Sequence, residues 1–109
     1  MKIIAVTSCP VGVAHTYMAA AALKKAAKKD NFEIKVETQG GLGFKNKLNK
    51  DDVANADVLI LATDVACLEK ERFSNIQSLE VTTKKCIRKA GEVIAQAIEL
   101  VSDGGKDNE

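Results

Sequence analysis

A chain of 109 residues is one domain's worth, enough for a single core and too short for two. Its 46% hydrophobic and 28% charged content is that of an ordinary globular protein, and a formal net charge of +1 gives no whole-protein field for nucleic acid or an anionic membrane. No apolar run approaches the roughly 20 residues that span a bilayer, and three cysteines without paired spacing suggest neither a disulfide framework nor a zinc site.

The opening "MKIIAVTS" is too short in its apolar stretch for a secretory signal, so a cytoplasmic protein is expected. Residues 2–8, "KIIAVTS", form a β-branched apolar run suited to a buried strand. Residues 13–29 are alanine-rich and predict a helix whose small side chains can lie close to a sheet. In "FEIKVET" (32–38), Phe32, Ile34 and Val36 alternate with charged residues, the period of a strand with one wetter face. A glycine-rich turn follows at 39–43, "QGGLG".

Residues 49–56 predict a short helix capped by Asn49 or Asp51. "DVLILAT" (57–63) is the most hydrophobic run and reads as a central strand. Residues 67–73 predict another short helix, and 76–81 an edge-like strand. Ile87, Ala90, Ile94, Ala97, Ile98 and Val101 lie at helical spacing, predicting one amphipathic helix over 83–101. The domain is expected to occupy 1–101, with 102–109 a polar tail or linker. Two lysine-rich clusters, Lys24, Lys25, Lys28, Lys29 and Lys84, Lys85, Arg88, Lys89, read as solvated helix faces or as a docking surface for an acidic partner.

Alternation of strands and helices predicts an α/β fold with a parallel sheet and right-handed crossovers. Such sheets bind ligands at the carboxyl ends of their strands. The Cys9 loop, the Gln39 loop and the Thr63-Asp64 step all follow strands and should meet at one edge.

"CPVGVAHT" (9–16) sits between a predicted strand and the start of a predicted helix. A helix N-terminus offers unpaired amides and a positive dipole end. The candidate phosphate donors are the amides of Val11, Gly12, Val13, Ala14, His15 and Thr16, since Pro10 has no N–H. The same field acts on Cys9. An ordinary thiol has a pKa of about 8.5, and making it a hundredfold more acidic takes about 2.7 kcal/mol. The dipole supplies about 0.3–1 kcal/mol and a charge-assisted hydrogen bond about 1.5–3 kcal/mol, so one or two aimed amides are enough. Read alone, Cys9 is equally a small buried residue, Gly12 a plain turn residue, His15 a cap or surface residue and Asp64 a helix cap. Cys67 and Cys86 lack such a loop and read as packing residues.

The spacing resembles that of the low-molecular-weight tyrosine phosphatases, a cysteine, five residues, then arginine and a hydroxyl residue. Here His15-Thr16 stands at that place. Histidine cannot copy the bidentate fork by which arginine clamps phosphate, which favours a phosphocysteine kept for a partner. A phosphatase or arsenate-reductase-like thiol enzyme is the alternative, and a purely anion-binding module a third.

Residues 7–23, "TSCPVGVAHTYMAAAAL", resemble the opening pattern T-x-C-P-T-G-I-A-H-T-F-M-A-A-x-A-L of the fructose-type IIB components of the bacterial sugar phosphotransferase system, with Val11 for threonine. "IKVETQGGLG" (34–43), "ADVLILATDV" (56–65) and Arg72-Phe73 extend the likeness over roughly 2–100; the Gly-Lys-Pro that follows the pair in many members is here "SNI". The resemblance implies a four-stranded parallel sheet in order 2-1-3-4 with helices on both faces. It implies that Cys9 takes phosphate from a phosphohistidine on a IIA partner and passes it to a sugar, fructose by default, carried by a membrane IIC partner. Gln39, Gly40 and Asp64 are candidate rim residues, and Leu42 and Phe44 a candidate apolar docking patch. No metal, cofactor, nucleic acid or direct membrane insertion is expected.

Overall fold

The computed structural model of the chain describes residues 2–8, 13–40, 43–63 and 69–107. Strand β1 (Lys2–Ser8) is buried from Ile3 onward and lies at the centre of the sheet. Helix α1 (Val13–Lys29) has no acidic residue in its first turn and closes on Lys28 and Lys29, cations that complement the negative end of its dipole. It is followed by β2 (Glu33–Gly40), β3 (Gly43–Lys45), α2 (Lys50–Asn55) and β4 (Val58–Thr63). A 3-10 turn (Lys70–Phe73), β5 (Ser78–Val81), α3 (Thr83–Arg88) and α4 (Ala90–Asp107) complete the order.

The sheet order is β3-β2-β1-β4-β5. Strands β2, β1, β4 and β5 are mutually parallel and reproduce the expected 2-1-3-4 order. The sheet nevertheless has five strands, because β3 pairs antiparallel with the end of β2, Thr38 opposite Lys45 and Gly40 opposite Gly43. The glycine-rich stretch 39–43, expected as a plain turn or a partner-facing rim, has strand residues on both sides, Gln39 and Gly40 of β2 and Gly43 of β3, with 41 and 42 outside the described residues. Two further expectations are corrected. The helix over 67–73 is a single 3-10 turn from Lys70, with 67 and 68 outside the described residues. The helix over 83–101 is two helices broken at Lys89, which leaves helical angles (φ −136°, ψ 49°) two residues before Gly91, a poor helix former. Helix α4 itself runs on to Asp107, into the stretch expected as a polar tail or linker.

Alternation along the strands divides the core. One face carries Ile3, Ala5, Val36, Val58, Ile60 and Ala62 under the α1 stripe Ala19, Ala20, Leu23 and Ala27, with Val93, Ile94 and Ala97 of α4. Alanines on α1 let it approach the sheet closely, as its composition predicts. The other face, Ile4, Val6, Leu59 and Leu61, is covered more thinly by Leu48, Phe73 and the partly buried Val53, Ala56 and Ile76. Helix α2 starts at Asn49, whose side chain accepts from the Asp52 amide while Asp52 accepts from the Asn49 amide, a capping box that satisfies two otherwise unpaired donors.

Candidate functional site

The register sets three strand ends in one row. Ser8, the last residue of β1, pairs with Gln39 on one side and Thr63 on the other. Cys9 follows Ser8, Gly40 follows Gln39 and Asp64 follows Thr63, so each begins one residue, about 3.8 Å of chain, beyond that row. The three segments therefore leave one edge, as the alternation of elements predicts. Cys9, Pro10, Val11, Gly12, Leu42, Asp64 and Cys67 themselves lie outside the described residues.

Helix α1 begins four residues after Cys9, at Val13. The amides of Val13, Ala14 and His15 lie in its first turn, ahead of the helix's own ladder of hydrogen bonds. Seventeen residues, roughly 25 Å of aligned peptide dipoles, direct their positive end at this edge. His15 is exposed and Thr16 is fully buried. Thr16 heads the inward stripe continued by Ala19, Ala20, Leu23 and Ala27. The hydroxyls of Thr7, Thr16 and Thr38 are all buried without a hydrogen-bond partner. Thr7 and Thr38 are cross-strand neighbours, and alternation puts them on the face that α1 covers. Two strand threonines and the first inward residue of α1 thus leave hydroxyls uncommitted near the strand ends. A buried hydroxyl without a partner typically costs about 1–3 kcal/mol.

On the opposite face, β2 carries a buried charge that the pattern of "FEIKVET" did not reveal. Glu37, expected on a wetter face, has no exposed surface. Its carboxylate accepts two parallel bonds from Arg72, at 2.7 and 2.9 Å, one from the Leu48 amide at 2.8 Å and one from the Gln39 side chain at 2.7 Å. Arg72 also donates to the carbonyls of Leu48 and Glu69, each at 2.9 Å, and its guanidinium lies 4.6 Å from the centre of the Phe73 ring. Burial by itself pushes the Glu37 carboxyl up; the hydrogen bonds from Arg72, then Gln39 and the Leu48 amide, outweigh it and hold the group below the ordinary carboxylate range. The network ties the end of β2 to the segment leading into α2 and to the 3-10 turn. Gln39 is thereby held from below, whereas Gly40 is a strand residue of the hairpin. Only the Arg72-Phe73 pair hinted at this arrangement; its partner stands 35 positions away.

Phe44 is half-buried, with the Lys47 ammonium 4.7 Å and the Arg72 guanidinium 6.0 Å from its ring centre. Leu42, the other residue of the candidate apolar patch, lies outside the described residues. Lys45 lies 5.1 Å over the Tyr17 ring and so joins β3 to α1. Among the described residues the one large hydrophobic side chain that stands exposed is Met18, 51% accessible and in the second turn of α1. Sequence reasoning passed over it because alanines surround it in a helix read as buried. A hollow of about 830 Å³ lies elsewhere, between α2 and the 3-10 turn, with Leu48, Val53, Arg72 and Ile76 in its lining. No group of three or more His, Cys, Asp or Glu side chains suited to a metal occurs among the described residues, and no helix there is long and apolar enough to cross a membrane.

The family model described as "PTS system, Lactose/Cellobiose specific IIB subunit" matches residues 4–96. A "PTS system fructose-like EIIB component 2" of Escherichia coli K12 is 47% identical over 95 residues, 87% of this chain and 90% of that protein. A "fructose-like EIIB component 1" of the same organism is 39% identical over 101 residues, covering 93% and 94%. Among solved structures, a domain of the fructose-specific iiabc component from Borrelia burgdorferi superposes with a TM-score of 0.86 at 43% identity, covering 90% of this chain and 93% of that one. The Enzyme IIB subunit from Escherichia coli K12 gives 0.87 at 38% identity, covering 95% and 96%.

Proposed function

The chain belongs to the fructose-like IIB components of the sugar phosphotransferase system, and from that membership we propose that Cys9 is its phosphoryl carrier. Proteins of this kind are phosphotransferase components that work with IIA and IIC partners. For this chain the thiolate of Cys9 attacks the phosphorus of a phosphohistidine on the IIA partner. The P–N bond breaks as the S–P bond forms, and the proton lost by the thiol is balanced by the one the departing imidazole gains. In the second step a hydroxyl of the sugar held by IIC, fructose or a fructose-like sugar, attacks the same phosphorus; the O–P bond forms as the S–P bond breaks, the thiolate leaves, and the hydroxyl's proton passes to solvent or to the departing sulfur.

The observation that carries this reading is that Cys9 comes directly after Ser8, the last residue of the central strand, which pairs in register with Gln39 and Thr63, and shortly before a helix of seventeen residues. The amides of Val11, Gly12, Val13, Ala14, His15 and Thr16 are the donors that would surround the transferred group. Amides already in place stabilise charge on the equatorial oxygens of a loose, in-line transfer without reorganisation. A histidine at position 15, which cannot form the arginine fork, holds phosphate less tightly than a phosphatase loop does, in keeping with a group to be handed on. Gln39, Gly40 and Asp64 form the rim. The reaction is a cytoplasmic one and uses neither metal nor cofactor.

Incubation with a phosphorylated IIA protein should label Cys9 with an acid-stable, iodine-sensitive phosphate. Labelling of Cys9→Ser to the level of the parent would refute the assignment.

A further inference from the structure

The near-zero net charge conceals an uneven distribution. Helices α1 and α3 pack against one another, which brings together the two lysine-rich clusters that lie far apart in sequence. Lys25 and Lys29 of α1 and Arg88 of α3 line one shallow hollow, floored by Ala22, Ala26, Ile87, Ala90 and Gly91. Arg88 also lines the adjoining hollow with Lys84, Lys85 and Lys89. These six cations share the surface with two carboxylates, Asp30 and Glu92. The other ten Lys and Arg of the chain stand against thirteen Asp and Glu, from totals of sixteen and fifteen.

Little of this charge is spent internally. The contacts in the set are a loose Lys89–Glu92 approach at 3.9 Å and a Lys85–Gln96 hydrogen bond at 3.2 Å. We propose that the α1/α3 face is an electrostatic docking surface for an anionic phospholipid bilayer, holding the protein at a membrane without inserting into it. Its composition favours lipid over an acidic protein. Five of the six cations are lysines, mobile point charges suited to a diffuse layer of headgroups rather than to bidentate recognition of fixed carboxylates. The floor of the hollows is small and aliphatic, Ala22, Ala26, Ala90 and Gly91 with Ile87, and offers none of the aromatic anchors on which protein interfaces concentrate their affinity. Met18, the exposed large side chain, lies nearer the other end of α1, so a protein partner at the Cys9 edge and a lipid surface at the α1/α3 face need not compete.

The test is co-sedimentation of the full chain with vesicles of phosphatidylcholine containing about 30% phosphatidylglycerol, against vesicles of phosphatidylcholine alone. Binding is expected to the anionic vesicles, falling at least about tenfold between 0.05 and 0.3 M salt as screening shortens the reach of each charge. The variant Lys25→Glu/Lys84→Glu should bind at least about tenfold more weakly. Lys50→Glu/Lys70→Glu, the same charge change at exposed positions on the other side of the sheet, should bind at least about threefold more tightly than the first variant. Absence of binding to anionic vesicles at low salt overturns the proposal, as does equal weakening by the two variants. No phosphoryl donor is present in this experiment, and Cys9→Ser should bind as the parent does, so its failure is separate from failure of phosphotransfer.

Discussion

Replacing Arg72 by alanine isolates the cost of stranding a buried charge. Glu37 is wholly buried and Arg72 only 17% exposed, so little water can replace the guanidinium. The carboxylate loses two charge-assisted bonds, each worth about 1.5–3 kcal/mol, and keeps those from the Leu48 amide and Gln39. Removing one partner of a buried pair typically costs about 3–5 kcal/mol, a large share of the roughly 5–15 kcal/mol that holds a domain together. Urea unfolding at neutral pH should register that loss as a lower midpoint with an unchanged slope. In the parent, the depressed Glu37 pKa contributes stability that is present above its unfolded value of 4.5 and lost as the pH falls through the folded value. In Arg72→Ala, burial dominates and raises the folded pKa, so the sign reverses and the variant is penalised as the pH rises. The gap between the two proteins should therefore narrow from pH 7 to pH 4. A double variant, Glu37→Leu/Arg72→Met, should recover most of the loss, because an apolar pair of similar volume leaves no charge stranded. A loss below about 1 kcal/mol at neutral pH, or a gap that does not change with pH, would refute this account of the network.

Two further outcomes follow from the site. If Met18, the exposed large apolar side chain among the described residues, meets the IIA partner, Met18→Asp should leave the unfolding free energy within about 0.5 kcal/mol of the parent but raise the KM for phosphorylated IIA about tenfold or more with little change in kcat; an unchanged KM would show that Met18 makes no contact with that partner. Thr38→Val replaces an unpartnered buried hydroxyl with a methyl of nearly the same shape, and should raise stability by about 1 kcal/mol in urea unfolding. Destabilisation instead would show that the hydroxyl does bond in solution.

How far these features were legible depends on the range of the interactions that make them. The elements β1 and α1 follow from local composition, and their observed bounds are those that the residues predict. The parallel order follows from alternation and the handedness of crossovers. What escaped notice depended on partners distant in sequence. Glu37 looks solvated beside Lys35, and only folding reveals that Lys35 pairs with Asp52 at 2.8 Å while Glu37 turns inward to Arg72. Strand β3 is three residues long, too short for period-two alternation to register, and Gly41 and Gly43 disguise it as turn. The break at Lys89 interrupts a hydrophobic spacing that continues on either side, so periodicity alone runs across it.

The two ends of the sheet bear on how such a chain survives at high concentration. An open strand edge is a template on which identical chains can assemble into larger sheets. Here one edge is closed off near the strand ends by β3, whose last residue is the exposed Lys45. The other is β5, only four residues long, with Ser78 and Glu80 turned to solvent. Neither presents a long, flat, apolar ladder. Short strands with charged or polar residues at the edges blunt the assembly of identical chains edge to edge.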